Sequence, residues 1–169
     1  MKIVTNFDNN ILPNKYSKYA DEADKYNGQP IVSFPFSIEN IPSDCKYYCF
    51  TLIDHDAIPV CGFSWIHWAV ANVDTSFNEI LENFSQNDIY NKVQGTNSFD
   101  SLIANVKDPK IIHRYIGPTP PDKNHNYTLT IYALSDRVDV NEGFYLNELF
   151  KKMEGLIVSQ ASIDVIGIK

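Results

Sequence analysis

Trp65-Ile66-His67-Trp68-Ala69-Val70-Ala71-Asn72-Val73 is an aromatic and β-branched run without proline or glycine, and it reads as a β-strand. Alternation places Trp65, His67, Ala69 and Ala71 on one side and Ile66, Trp68, Val70 and Asn72 on the other, so His67 is expected to point away from Trp68. Upstream, Lys46 to Ile53 is dense in aromatic, cysteine and β-branched residues and stops at Asp54. The first acid of the turn Asp54-His55-Asp56-Ala57-Ile58-Pro59 is therefore expected at a strand end. Downstream, Asn126 to Leu134 opposes Tyr127, Leu129, Ile131 and Ala133 to Thr128, Thr130, Tyr132 and Leu134, with His125 at the start of the strand. The apolar stretches are punctuated by Asn27-Gly28-Gln29-Pro30 and Asn40-Ile41-Pro42-Ser43-Asp44, the spacing of a mainly β fold.

The tail Ser162 to Ile168 reads as a closing strand. Before it, Leu146, Leu149, Phe150 and Met153 form one helical face that ends ahead of Gly155, predicting a short amphipathic helix on the β core. Between Asp74 and Lys110 the chain is polar and weakly periodic, with only a helical turn around Phe77 to Phe84 to be expected. No repeat or composition shift marks a boundary, so residues 1–169 are read as a single domain. A chain of this length buries about 70% of the surface it exposes when unfolded.

Lys plus Arg total 14 against 21 acids, a net charge of -7 that opposes nucleic acid as a partner. No run approaches the roughly 18 apolar residues of a membrane span, and the first residues lack the apolar stretch of a secretory signal. No integral membrane segment and a cytoplasmic address are the expectations. Cys45, Cys49 and Cys61 make an odd count, which argues for free thiols. On one strand Cys45 and Cys49 would lie about 13 Å apart, beyond the bridging limit.

Two histidines stand in distinctive settings: His67 in the strand after the acidic turn, and His125 after Gly117-Pro118-Thr119-Pro120-Pro121. An anion between two imidazoles would raise both pKa values and recruit the protons for charge-assisted hydrogen bonds, so binding should strengthen as pH falls. Asp54 would orient an imidazole or accept from the ammonium end of a zwitterion. Tyr115 and Tyr127 would supply hydroxyls, and the prolines would stiffen a preformed rim. Trp65 is read as core and Trp68 as pocket wall. Asp56 fits a turn cap as well as a ligand contact, and His55 and His113 read as loop residues. The histidines lack the close helical spacing of a zinc motif, so neither metal nor cofactor is expected.

Together, Asp54-His55-Asp56-Ala57, Trp65-Ile66-His67-Trp68, Tyr115-Ile116-Gly117-Pro118-Thr119-Pro120-Pro121 and His125-Asn126-Tyr127 resemble the signatures of the phosphatidylethanolamine-binding proteins, in the prokaryotic branch labelled Raf kinase inhibitor-like. The motifs follow the family's order from about Gln29 onward, and the last strand ends in Tyr132-Ala133-Leu134 as in that branch. The resemblance implies an antiparallel β-sandwich of a large and a smaller sheet with one or two short helices, and a pocket at one end for a phosphate or phosphorylated head group. Its ligand-binding set carries over to Asp54, Asp56, His67, Tyr115, Gly117, Pro118, His125 and Tyr127, with no catalytic residue. His55 stands where the family usually has proline, Ile58 lengthens the turn, and Asn126 replaces an arginine. Arg114 occupies a common glycine position and reads as a solvated surface residue.

The leading functional reading is a non-catalytic binder of a small anion or phospholipid head group, compatible with a protein partner and with a homodimer. The alternatives are a hydrolase using His67 and His125 as acid and base, for which Ser64 and Cys61 carry no activating motif, or a kinase or protease inhibitor acting through its surface.

Overall fold

The computed structural model describes residues 1–88 and 90–169. In chain order it runs β1 (Lys2–Val4), β2 (Lys25–Tyr26), β3 (Gln29–Pro30), β4 (Phe36–Glu39), β5 (Tyr47–Asp54), α1 (Ile58–Cys61), β6 (Trp65–Asp74), β7 (Glu79–Ile80), β8 (Val93–Gln94), α2 (Pro109–Ile112), β9 (His125–Leu134), α3 (Leu146–Met153) and β10 (Ile157–Gly167). A large antiparallel sheet has the order β10-β9-β5-β6-β8, a smaller one the order β1-β4-β7, and β2 and β3 form a hairpin. Asn27 and Gly28 turn that hairpin at φ 48° and 75°, the left-handed region that a two-residue turn demands and that glycine enters without steric cost.

The expected sandwich of a large and a smaller sheet is present. Tyr48, Phe50 and Leu52 of β5 alternate toward the small sheet and meet Ile3, Phe36, Ile38 and Ile80 in one buried cluster. Phe36 and Phe50 pack edge to face at 5.5 Å between ring centroids, joining the two layers. On the opposite face Cys49, Ala69, Ala71 and Leu134 receive Leu149 and Met153 of α3. The large sheet is thus covered on both sides, which explains the nearly continuous hydrophobic character of β5 and β6. Cys45 and Cys49 are buried free thiols, and Cys61 is a partly exposed one.

Several local expectations are corrected. The segment around Phe77 to Phe84 holds the short strand β7 rather than a helical turn, followed by a 3-10 turn at Phe84–Gln86. The acidic turn winds into α1, with Pro59 in its first turn, where the missing N–H costs nothing. The closing strand begins at Ile157, not Ser162, because it is an edge strand whose outer residues are exposed and polar enough to blur the pattern.

The largest correction concerns His67. The β5–β6 ladder pairs Leu52 with Trp68 and Ile53 with Ile66, so the extra residue His67 forms a bulge. Strict alternation fails there, and the His67 ring turns to the face that holds Tyr127, packing edge-on against it at 5.0 Å. Trp68, on the same face, contacts Phe50 and Tyr115.

Both covered faces of the large sheet should be sensitive to truncation. Phe50→Ala is expected to cost about 3–5 kcal/mol and Leu149→Ala about 2–5 kcal/mol in urea-denaturation midpoints at unchanged slope, since each removes a fully buried side chain.

Candidate functional site

The antiparallel register of β5 and β9 sets Asp54 opposite Tyr127. His125, two residues away on the same face, is its diagonal neighbour. Asp54 and His125 are both buried, and their side chains meet at 2.8 Å between Oδ2 and Nδ1. The other Asp54 oxygen accepts from the Ala57 N–H at 3.0 Å, which closes the turn into α1. Burial first, and then the charge and hydrogen bond of Asp54, push the Tyr127 phenol far above its ordinary range, so this hydroxyl stays protonated.

The second ring nitrogen of His125, Nε2, lies 2.8 Å from Oδ1 of Asp122. An ionised carboxylate only accepts, so with both acids ionised both ring nitrogens donate, which is the imidazolium form of His125. Burial works against that charge, but the hydrogen bonds that the ring donates to Asp54 and Asp122 outweigh it and raise the pKa above the usual histidine value. His67 is in the opposite state. Burial dominates and lowers its pKa, while Nδ1 donates to the Ile116 carbonyl at 2.7 Å. That bond selects the Nδ1–H tautomer and leaves Nε2 as a lone pair with no protein partner among the described residues.

These groups floor a cavity of about 320 Å³. Asp54, His67, His125 and Tyr127 supply the polar end; Ala57, Val60 and Cys61 of α1, Trp65, Phe99 and Ile103 form an apolar wall; Thr119 and Pro121 edge the mouth. The roles expected of the tryptophans are exchanged: Trp65 lines the cavity, and Trp68 is core, its indole N–H donating to Gln94 at 2.9 Å. The bulge at His67 separates the two.

Of the eight residues expected to bind ligand, the structure brings Asp54, His67, His125 and Tyr127 to the cavity and sets the other four behind or beside it. Tyr115 is buried, and its hydroxyl donates to the Tyr16 carbonyl at 2.7 Å. A Cβ on Gly117 would stand 2.2 Å from the same carbonyl oxygen, so only glycine allows this close approach. The Pro118 carbonyl accepts from the Lys18 N–H at 2.9 Å. These three act by holding Ile116, and through it the His67 tautomer. Asp56 neither lines the cavity nor caps its own turn: it accepts from the Asn126 N–H at 2.9 Å and ties the acidic turn to the start of β9. Arg114 pairs with Glu142 on the surface and brings no charge to the cavity. His55 meets Ser64 at 2.9 Å in an exposed pair outside the cavity. Among the described residues no cluster of three histidine, cysteine or acidic side chains could hold a metal ion. Asp122 was not anticipated; its i,i+3 spacing from His125 on a proline-led loop was the available signal.

The sequence model of the phosphatidylethanolamine-binding proteins matches residues 3–166. The chain is 52% identical over 158 residues to the uncharacterized protein YxkA of Bacillus subtilis, spanning 94% of both chains. It is 32% identical over 135 residues to a UPF0098 protein of Chlamydia pneumoniae, covering 78% of this chain and 79% of that one. Among solved structures it resembles a putative phosphatidylethanolamine-binding protein homolog, CT736 of Chlamydia trachomatis, with TM-score 0.75, 26% identity and coverage of 99% and 95%. E. coli YbcL shares the fold at TM-score 0.76, 19% identity and coverage of 99% and 98%. These names carry no catalytic activity. No helix among the described residues is long and apolar enough to cross a membrane.

The contrast between the imidazoles is directly measurable. Nitrogen chemical shifts should show His67 as the neutral Nδ1–H tautomer at pH 7, and His125 titrating above the usual value of about 6.5. The stability linkages have opposite signs. The His125 contribution is full below about pH 6.5 and fades as pH rises through its raised folded value; the His67 contribution is full above about pH 6.5 and fades as pH falls toward its lowered folded value. Urea midpoints against pH should therefore fall on the acid side, and His67→Gln should flatten that limb.

Proposed function

Because the chain belongs to the phosphatidylethanolamine-binding protein family, we propose that it binds a small anion or phosphorylated head group of the phosphoethanolamine type between His67 and Tyr127, beside His125, without catalysing a reaction. The carrying observation is the pairing, in one cavity, of an imidazolium held by Asp54 with a neutral imidazole whose Nε2 is uncommitted. Neutral His67 accepts the P–OH proton of a monoanionic phosphate, or takes up a proton and donates. The apolar wall of Trp65, Phe99 and Ile103 suits a ligand that carries hydrocarbon beyond its polar end.

A hydrolytic reading finds less support. The Cys61 thiol, at the cavity wall, donates to the Phe63 carbonyl at 3.3 Å, and Ser64 is engaged by His55. Neither nucleophile meets His67 or His125, so no side-chain nucleophile is paired with a base for a covalent route.

Phosphate and phosphoethanolamine should shift the His67 and Tyr127 resonances in saturable titrations, with no product released from a phosphoester panel. Bound anion raises a His67 pKa that burial had lowered, so binding takes up a proton. Affinity should rise with falling pH by up to about tenfold per unit between the free and bound values. His67→Ala should weaken binding about tenfold or more, and an unchanged affinity in that variant would defeat the proposal.

A further inference from the structure

Both carboxylates on His125 are within hydrogen-bond distance, but they are held very differently. Asp54 is buried at the end of β5 and fixed a second time by the Ala57 N–H. Asp122 has a side chain 51% exposed, stands on the Pro120-to-Asn124 loop, and has His125 as its one side-chain partner among the described residues. Its Oδ1, 2.8 Å from Nε2, takes the place an anionic ligand oxygen would need in order to receive that proton. While Asp122 remains, the cluster of Asp54, Asp122 and His125 carries a net negative charge, and His67 opposite is neutral.

We propose that Asp122 is a specificity-determining residue, a resident carboxylate that competes with ligand anions for Nε2 of His125. It admits a phosphate-type anion only by swinging out on its loop. This rests on the anion-binding reading above and adds to it a threshold. A singly charged anion such as chloride or acetate brings no more charge than the preplaced carboxylate and does not displace it; a phosphate monoester, with more charge and several acceptor oxygens, does. The groups facing His125 are Asp54 from β5, His67 from β6, Tyr127 from its own strand and Asp122 from the loop; Asp56 and Lys123, 4.0 Å apart, pair outside the cavity lining. Of the two acids on His125, Asp54 is buried and Asp122 is exposed, so Asp122 is the one that can swing into solvent without carrying a charge out of the interior.

The test compares the unaltered protein with Asp122→Ala and Asp122→Asn, titrating inorganic phosphate, phosphoethanolamine, glycerophosphoethanolamine and acetate at pH 7 while following the His67 and His125 resonances. Asp122→Ala should bind inorganic phosphate about tenfold more tightly, a change worth about 1.4 kcal/mol, and should gain measurable acetate binding. Asp122→Asn, which keeps an acceptor but loses the charge, should fall between. A gain shared by all three phosphates marks the phosphoryl oxygens as the competing group; a gain confined to glycerophosphoethanolamine would assign the effect to the head group and overturn the proposal. The ligand-free His125 midpoint should drop in both variants, confirming that the contact exists in solution. Equal phosphate affinity in all three proteins overturns the inference while leaving the binding reading intact. Failure of every protein to bind any anion, with the His125 midpoint still lowered in the variants, overturns the binding reading and the inference with it.

Discussion

The buried bond between Asp54 and His125 organises everything at this end of the sandwich. It exists because β5 and β9 pair with Asp54 opposite Tyr127, which brings the first residue of β9 diagonally across from the last residue of β5. Removing His125 would leave the buried Asp54 carboxylate without its ion-pair partner, a larger penalty than the pair itself gains. The same carboxylate begins α1 through Ala57 and so sets the apolar wall. One side chain couples the sheet register, the turn and the charge state of the cavity floor.

Against that fixed charge, His67 is kept neutral by an equally specific device. The bulge in β6 turns its ring inward, and the Ile116 carbonyl claims Nδ1. The segment holding Ile116 is anchored by the Tyr115 hydroxyl on the Tyr16 carbonyl, by the Gly117 N–H on the Pro30 carbonyl at 2.8 Å, and by Pro118 on Lys18. The proline-rich motif thus works largely from behind. It orients an imidazole, and only Thr119 and Pro121 of it reach the cavity. A second polar network, in which Ser85 donates to Gln94 at 2.8 Å and accepts from the Tyr115 N–H at 2.8 Å, secures the same segment to β8.

How legible each element was in the sequence follows from its length and its surroundings. The strands β5, β6 and β9 and the helix α3 each hold more than one full period of buried side chains, and they stand close to where the pattern puts them. The two-residue strands β7 and β8 and the single turns α1 and α2 contain too little sequence to express a period. Asp54, His67 and His125 were legible because strand ends and proline turns flank them; the family resemblance implied a wider set of eight that includes Tyr127, and four of those eight stand outside the cavity. Asp122 was not legible, since an aspartate in a polar loop looks like a solvated residue until a neighbouring ring is placed.

Composition and alternation alone determined a mainly β chain with an acidic balance, free thiols and two histidines near strand ends, because these depend on residue type and short-range period. Tertiary structure decided which way those histidines face and what charge they carry. A single extra residue in a ladder reverses a face, and the protonation of a buried ring depends on whether a carbonyl or a carboxylate lies within hydrogen-bond distance. Neither is encoded in local spacing: Ile116 is 49 residues from His67 and Asp54 is 71 from His125, and only the folded sheets bring them together.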